Sequence, residues 1–288
     1  MGSILDTAYE AALKRLAKAW QNPAVLPRAV QTPLHSGLQL SRTSRHMTPA
    51  PAYATPGDLS PSRRLGQFTW VALLCLLAWD FSGLDRTVMH WIADGGGFNL
   101  RNNWWLEEIL HTRAKQLAIV IYLGLLTMVW WPQGAFRQLT RLQRTEIMVG
   151  ITLGLITIST LKRFSLTSCP WDLQDFGGAA IYVSHWHWGV LDGGAGHCFP
   201  GGHASSALAF VGLALPWLGS GLTAQRIIGR RILIGVLLLG LVLGLTQTLR
   251  GAHYPSHTFW TGFICWTVAL ANHLLFGWLA HHRQSRQA

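Results

Sequence analysis

Residues 232–249 read Ile-Leu-Ile-Gly-Val-Leu-Leu-Leu-Gly-Leu-Val-Leu-Gly-Leu-Thr-Gln-Thr-Leu, closed by Arg230 and Arg231 on one side and Arg250 on the other. No charge interrupts the run. A helical span needs about 17–25 mostly apolar residues to cross a hydrocarbon core of ~30 Å, so this block predicts a transmembrane helix. Working outward, five more apolar blocks occupy residues 68–84 (interrupted by Asp80), 117–131, 147–161, 204–218 and 259–278. Several are short, so polar interfacial residues must complete their ends. The expected fold is all-α, a six-transmembrane-helix bundle over residues 67–280.

Residues 1–66 have a different character. Ile4, Leu5, Ala8, Ala12, Leu16 and Trp20 fall near one side of a helix. Residues 22–62 are rich in Pro, Ser, Thr and Ala without apolar period, which predicts a flexible tail. No apolar stretch precedes a small-residue cleavage site at the start. The whole chain has 288 residues, half of them apolar and 12% charged, with 15 tryptophans. Mean hydropathy is +0.25. This excludes a disordered chain, a collagen and a small disulfide scaffold.

The net charge of +11 admits a nucleic-acid partner until the charges are placed. With the N-terminus inside, the inner segments hold eight basic residues in the tail, then Arg137, Arg141, Arg144, Arg226, Arg230, Arg231, Arg283 and Arg286. The outer segments hold only Arg86, Arg101, Arg113, Lys115, Lys162, Arg163 and Arg250. That bias predicts both termini in the cytoplasm and no nucleic-acid role. Trp70, Trp130, Trp131, Trp217 and Trp278 fall near span ends, where indole rings favour the headgroup layer.

Three outer segments then carry the chemistry. Lys162 and Arg163 end the third span, against the positive-inside bias, which invites an anionic partner; Asp172 or Asp175 is the local alternative. In Pro200-Gly201-Gly202-His203, the glycines let backbone approach a ligand, and His203 can hand a proton to a phosphate ester oxygen. A plain headgroup-level histidine is the other reading. Gln247, Arg250, His253 and His257 are spaced 3, 3 and 4, but Pro255 predicts a turn–helix junction between the two histidines. Arginine matches phosphate oxygens, and a second polar group fixes the tautomer of an attacking imidazole. Simple snorkelling of Arg250 to the interface is the alternative.

With those segments in view, the chain resembles the type-2 phosphatidic acid phosphatase superfamily of membrane phosphatases. Its signature runs K-x6-RP, PSGH, SR-x5-H-x3-D. Lys162 matches the first Lys, and Cys169-Pro170 stands at Arg-Pro. Pro200-Gly201-Gly202-His203 matches PSGH with Gly for Ser. Thr246-Gln247 stands at Ser-Arg, His253 matches the second His, and His257 stands at the Asp. The resemblance covers about residues 69–275.

It implies a phosphohistidine mechanism that needs no metal or other cofactor. His253 would be the nucleophile, His203 the acid, and His257 the group orienting His253. Lys162, Arg163, Gly201, Gly202, Gln247 and Arg250 would hold the phosphate, Arg163 and Arg250 standing in for the missing motif arginines. Asp192, Asp172 and Asp175 are loop candidates for the missing negative charge.

The implied substrate is a phosphorylated membrane lipid: a polyprenyl diphosphate, phosphatidylglycerol phosphate or lipid A phosphate. The implied place is a bacterial inner membrane, with the site facing the periplasm. A lipid phosphotransferase using the same intermediate is an alternative, as is a catalytically weak binding or transport protein. Cys169 and Cys198 lie in the outer segment and can pair there as a disulfide, or remain reduced. His185-Trp186-His187-Trp188 reads as an aromatic belt with its histidines toward water rather than a metal site. Residues 94–105 are expected to cover the cleft.

Overall fold

The computed structural model describes residues 60–286. The tail expected over residues 1–66 lies outside the described residues up to position 59. The described residues are helical and carry only isolated bridges, Asp94 with Gly97 and Leu173 with Ala180.

Helix α1 (Ser60–Phe81) and helix α2 (Leu84–Ile92) meet at a 63° bend. Gly83, at φ 75°, makes that bend in a conformation that costs other residues energy. A π-helical stretch, Trp105–Arg113, leads into α3 (Ala114–Thr127). Helix α4 (Arg141–Phe164) opens with a reciprocal capping box, in which Thr140 and Gln143 satisfy each other's backbone donors. After a long outer segment come α5 (Ser205–Leu208), a 3-10 turn (Ala209–Leu213) and α6 (Leu215–Leu218). Helices α7 (Thr223–Leu249) and α8 (Pro255–Ser285) complete the bundle.

Among the described residues, four helices are long and apolar enough to cross a membrane, or five if the bent α1–α2 pair is one span. Residues 204–218, expected as a sixth, form a shorter apolar helix. Part of it is 3-10, so it rises about 24 Å, short of the ~30 Å core. Its apolarity has another cause: Val211, Ala214, Leu215 and Trp217 are all within 1% of complete burial. Its inner face packs in the core of the bundle. Trp217, expected at the headgroup layer, is therefore a core residue, whereas Trp70, Trp131 and Trp278 are exposed.

Small residues let these helices approach. Gly154 faces Ala209, Gly212 faces Ala269, and Gly244 faces Thr258. This is how helices pack where lipid removes the hydrophobic drive between them. Buried polar pairs add specific contacts. Asn272 Nδ2 donates to the Glu146 carbonyl at 2.9 Å, and His273 Nδ1 meets Glu146 Oε1 at 2.6 Å. The α4–α8 pair so formed carries Lys162 at one helix end and His257 at the same end of the other.

Candidate active site

Lys162 stands on the last turn of α4. Its Nζ donates to the His197 carbonyl at 2.5 Å. Its aliphatic stem crosses Gly202, where an added Cβ would lie 2.9 Å from Lys162 Cδ. A side chain at 202 would displace the lysine stem, so glycine here leaves room for Lys162 in its present position.

The lysine segment and the Pro-Gly-Gly-His segment fold as one unit. His197 N donates to Ser165 O at 2.8 Å and Cys198 N to Thr167 O at 2.9 Å. A Cys169–Cys198 disulfide joins them, with 5.2 Å between Cα atoms. Asp192 accepts from Ser168 N and Oγ at 2.6 and 2.7 Å. The carboxylate considered for the catalytic histidine is thus spent on holding this loop. Asp175 is likewise engaged, 2.7 Å from Arg86.

His203 lies in the turn before α5. Its Nε2 donates to the Leu110 carbonyl at 2.7 Å, and its ring centroid is 4.4 Å from that of His111. Burial pushes its pKa down to about 4, and the positive surroundings of His111, Lys115 and Arg250 add to the effect against the Leu110 bond.

His253 lies in the turn between α7 and α8. Pro255 occupies the first position of α8, where its missing N–H costs nothing. Burial holds His253 at about 3, with the Lys162 ammonium acting in the same direction and a bond to the Cys198 carbonyl opposing it. Its Nδ1 lies 3.5 Å from Nδ1 of His257, the outer limit of a hydrogen bond. His257 is 1% exposed and sits in the first turn of α8.

Arg250 is buried but not idle. Its Nε donates to the Arg101 carbonyl at 2.9 Å, and Nη2 lies 3.3 Å from Glu107. Gln247 is buried, and its Nε2 has no hydrogen-bond partner among the described residues. Gly201 packs against the His257 carbonyl. Arg163 is exposed, one helical step round from Lys162, with no hydrogen bond or ion pair to these residues among those described. Lys162, His203, Arg250 and His253 thus lie within electrostatic reach of one another, and Arg163 does not join them.

The π-helical stretch had been outside the expected site. It supplies the Leu110 carbonyl, His111 and Glu107. Its sequence signal is His111-Thr112-Arg113-Ala114-Lys115, a basic cluster on the outer side against the prevailing bias. The segment expected to cover the cleft does lie on it: Phe98 rests on Gly251, and Arg101 caps Arg250.

The belt reading of residues 185–188 is corrected in part. Trp188 is exposed, but His185 does not face water. It lies 3.1 Å from the Asp80 carboxylate, which also accepts from Trp186 Nε1. Among the described residues, no group of three or more His, Cys, Asp or Glu is arranged to hold a metal ion.

Neither the curated proteins nor the solved structures searched contain a match to this chain. Residues 145–280 match the model of the PAP2 superfamily. Lys162, the Pro-Gly-Gly-His segment and His253 all fall within the matched residues, and the match supports membership of the chain in the PAP2 superfamily, that of the type-2 phosphatidic acid phosphatases.

Proposed function

We propose that this protein is a membrane phosphatase that hydrolyses a phosphorylated lipid through a phosphohistidine on His253. Family membership supports phosphatase-type chemistry on a phosphorylated substrate. The single observation that carries the finer reading is the burial of two neutral histidines from distant segments beside one lysine. A neutral imidazole is the form that attacks phosphorus. The surrounding cations stabilise charge on the phosphoryl oxygens in a site of low polarity.

In the first step Nε2 of His253 attacks phosphorus and the bond to the leaving oxygen breaks. His203 delivers the proton that oxygen needs. Because Nε2 of His203 is held by the Leu110 carbonyl, Nδ1 is the nitrogen that exchanges the proton. The dianionic substrate raises the pKa of His203 on arrival, offsetting its burial. In the second step water attacks the phosphorus, the P–N bond breaks, and His203 takes the proton of the water. Lys162, Arg250 and the Gln247 amide hold the phosphoryl oxygens. For Arg250 that means exchanging Glu107 for substrate.

The reading retains six crossings with both termini in the cytoplasm. The short 205–218 helix is completed by its flanking turns, and the site lies at the periplasmic side of a bacterial inner membrane. The charge bias supports that orientation.

The test is phosphate release by purified protein in detergent from lipid monophosphates, lipid diphosphates and soluble monophosphates, beside His253→Ala. Lipid substrates are expected to be preferred. His253→Ala is expected to abolish release and the acid-labile, alkali-stable phosphoprotein formed in native protein. Unchanged release by His253→Ala sinks the mechanism.

A further inference from the structure

Asp80 interrupts an apolar helix, where an ionisable group is costly and usually serves a function. Its side chain is 2% exposed. Three N–H donors converge on one oxygen: Trp186 Nε1 at 2.8 Å, Trp260 Nε1 at 2.9 Å and His185 Nε2 at 3.1 Å. His185 in turn stacks on Phe199, with centroids 4.1 Å apart and planes 8° from parallel. Its ring stands edge-on to His257 at 6.0 Å and 84°. A polar cavity of about 40 Å³ lies among Asp80, Asp85, Ser184, His185, Tyr254 and His257. Tyr254 lines it, and its hydroxyl is buried with no hydrogen-bond partner among the described residues.

Proton accounting gives this cavity a purpose. For His253 to attack through Nε2, its Nδ1 must keep the proton. Two acceptors lie near that proton, the Cys198 carbonyl and Nδ1 of His257 at 3.5 Å; where His257 accepts through Nδ1, its own proton sits on Nε2. A family carboxylate at position 257 would accept from His253 directly, with no second proton to place.

We propose that Asp80 and His185 are positioning residues which, through one water in this cavity, fix the tautomer of His257 and so of His253, replacing the carboxylate the PAP2 pattern places at 257. About 10–15 Å³ suffices for one water with several polar partners. The negative charge is moved one layer outward, from α8 to α1. Asp85 and Tyr182 line the same cavity, while Lys162, His203 and His111 act on His253 electrostatically. The inference rests on the phosphatase reading for its kinetic arm only.

The test compares His185→Gln in two backgrounds, native and His257→Asp. Glutamine keeps a donor for Asp80, so the loop clasp survives while the imidazole edge is lost. In the native background kcat is expected to fall about 10–100-fold, the usual cost of losing an outer partner of a working histidine, with KM within about twofold. In the His257→Asp background, where His253 has a carboxylate, the same change is expected to cost less than about threefold. Asp80→Asn should follow the same pattern. Equal losses in both backgrounds identify a structural clasp and overturn the proposal, as does no loss in the native one.

Imidazole ¹⁵N shifts give an arm that needs no turnover. His253 is expected as the Nδ1–H tautomer in native protein and as a mixture in His185→Gln. An unchanged spectrum overturns the proposal. Absence of phosphate release from native protein would instead count against the phosphatase reading alone.

Discussion

Gly251→Ala is the sharpest probe of how the covering loop holds the nucleophile turn. Gly251 has φ 77°, and an ideal Cβ there would lie 2.2, 2.4 and 2.6 Å from three ring atoms of Phe98. Two costs combine. A side chain in the left-handed region costs about 1–2 kcal/mol. The ring of Phe98 must also leave a site where it is only 8% exposed and packs on Phe176 at 5.0 Å between centroids, forfeiting about 2–3 kcal/mol of burial. The expected loss is about 3–5 kcal/mol, or roughly 6–20 °C in melting temperature for a domain of this size.

The damage is transmitted. The Gly251 carbonyl accepts from Trp171 N at 2.9 Å, and its neighbours Arg250 and His253 belong to the site. Phosphate release is therefore expected to fall as well. The assay is thermal unfolding in detergent of native protein, Gly251→Ala, Phe98→Ala and the double variant. Once the ring is gone, adding Gly251→Ala should cost only the backbone strain of about 1–2 kcal/mol, leaving a coupling of about 2 kcal/mol. A Gly251→Ala protein within about 0.5 kcal/mol of native, or strictly additive variants, refutes the reasoning.

Three further outcomes are expected. His203 and His253 are held near 4 and 3 in the folded protein, so the unfolded chain binds their protons first as pH falls. Stability is therefore full above about pH 6.5 and drops on acidification, on the order of 2 kcal/mol per histidine by pH 5, levelling off below the folded values. Chemical denaturation across pH 5–8, with His203→Asn showing a shallower loss, checks this. Lys162→Ala should raise KM about tenfold or more, and by removing a positive neighbour should raise the pKa of His253, moving the acid limb of the pH–rate profile to higher pH. Reduction of Cys169–Cys198, which spans 29 residues, should lower stability by about 3–4 kcal/mol on the chain-entropy account. Melting with and without reductant, beside Cys169→Ser/Cys198→Ser, measures it.

Much of the bundle was legible before any coordinates, because burial in lipid writes itself locally as long apolar runs. Four of those runs lie in long helices, and a fifth forms α1, joined to α2 through a bend. The 204–218 run did not reveal its surroundings for a physical reason: a helix buried among other helices and one facing lipid share the same composition. Trp217 misled in the same way. The Pro-Gly-Gly-His segment and the turn before Pro255 were readable because glycine and proline limit backbone geometry wherever they stand.

What composition and spacing determined was which residues could do chemistry and where the chain must turn. Which partner each of them met was decided by the tertiary structure. Arg250 found Glu107 and the Arg101 carbonyl, His203 found the Leu110 carbonyl, and Asp80 gathered His185, Trp186 and Trp260 from the far end of the chain. Helix formation and apolar burial follow from nearby residues. A hydrogen bond depends on the placement of two atoms to within a few tenths of an ångström, and for atoms a hundred residues apart that placement comes only from the packing of the whole bundle.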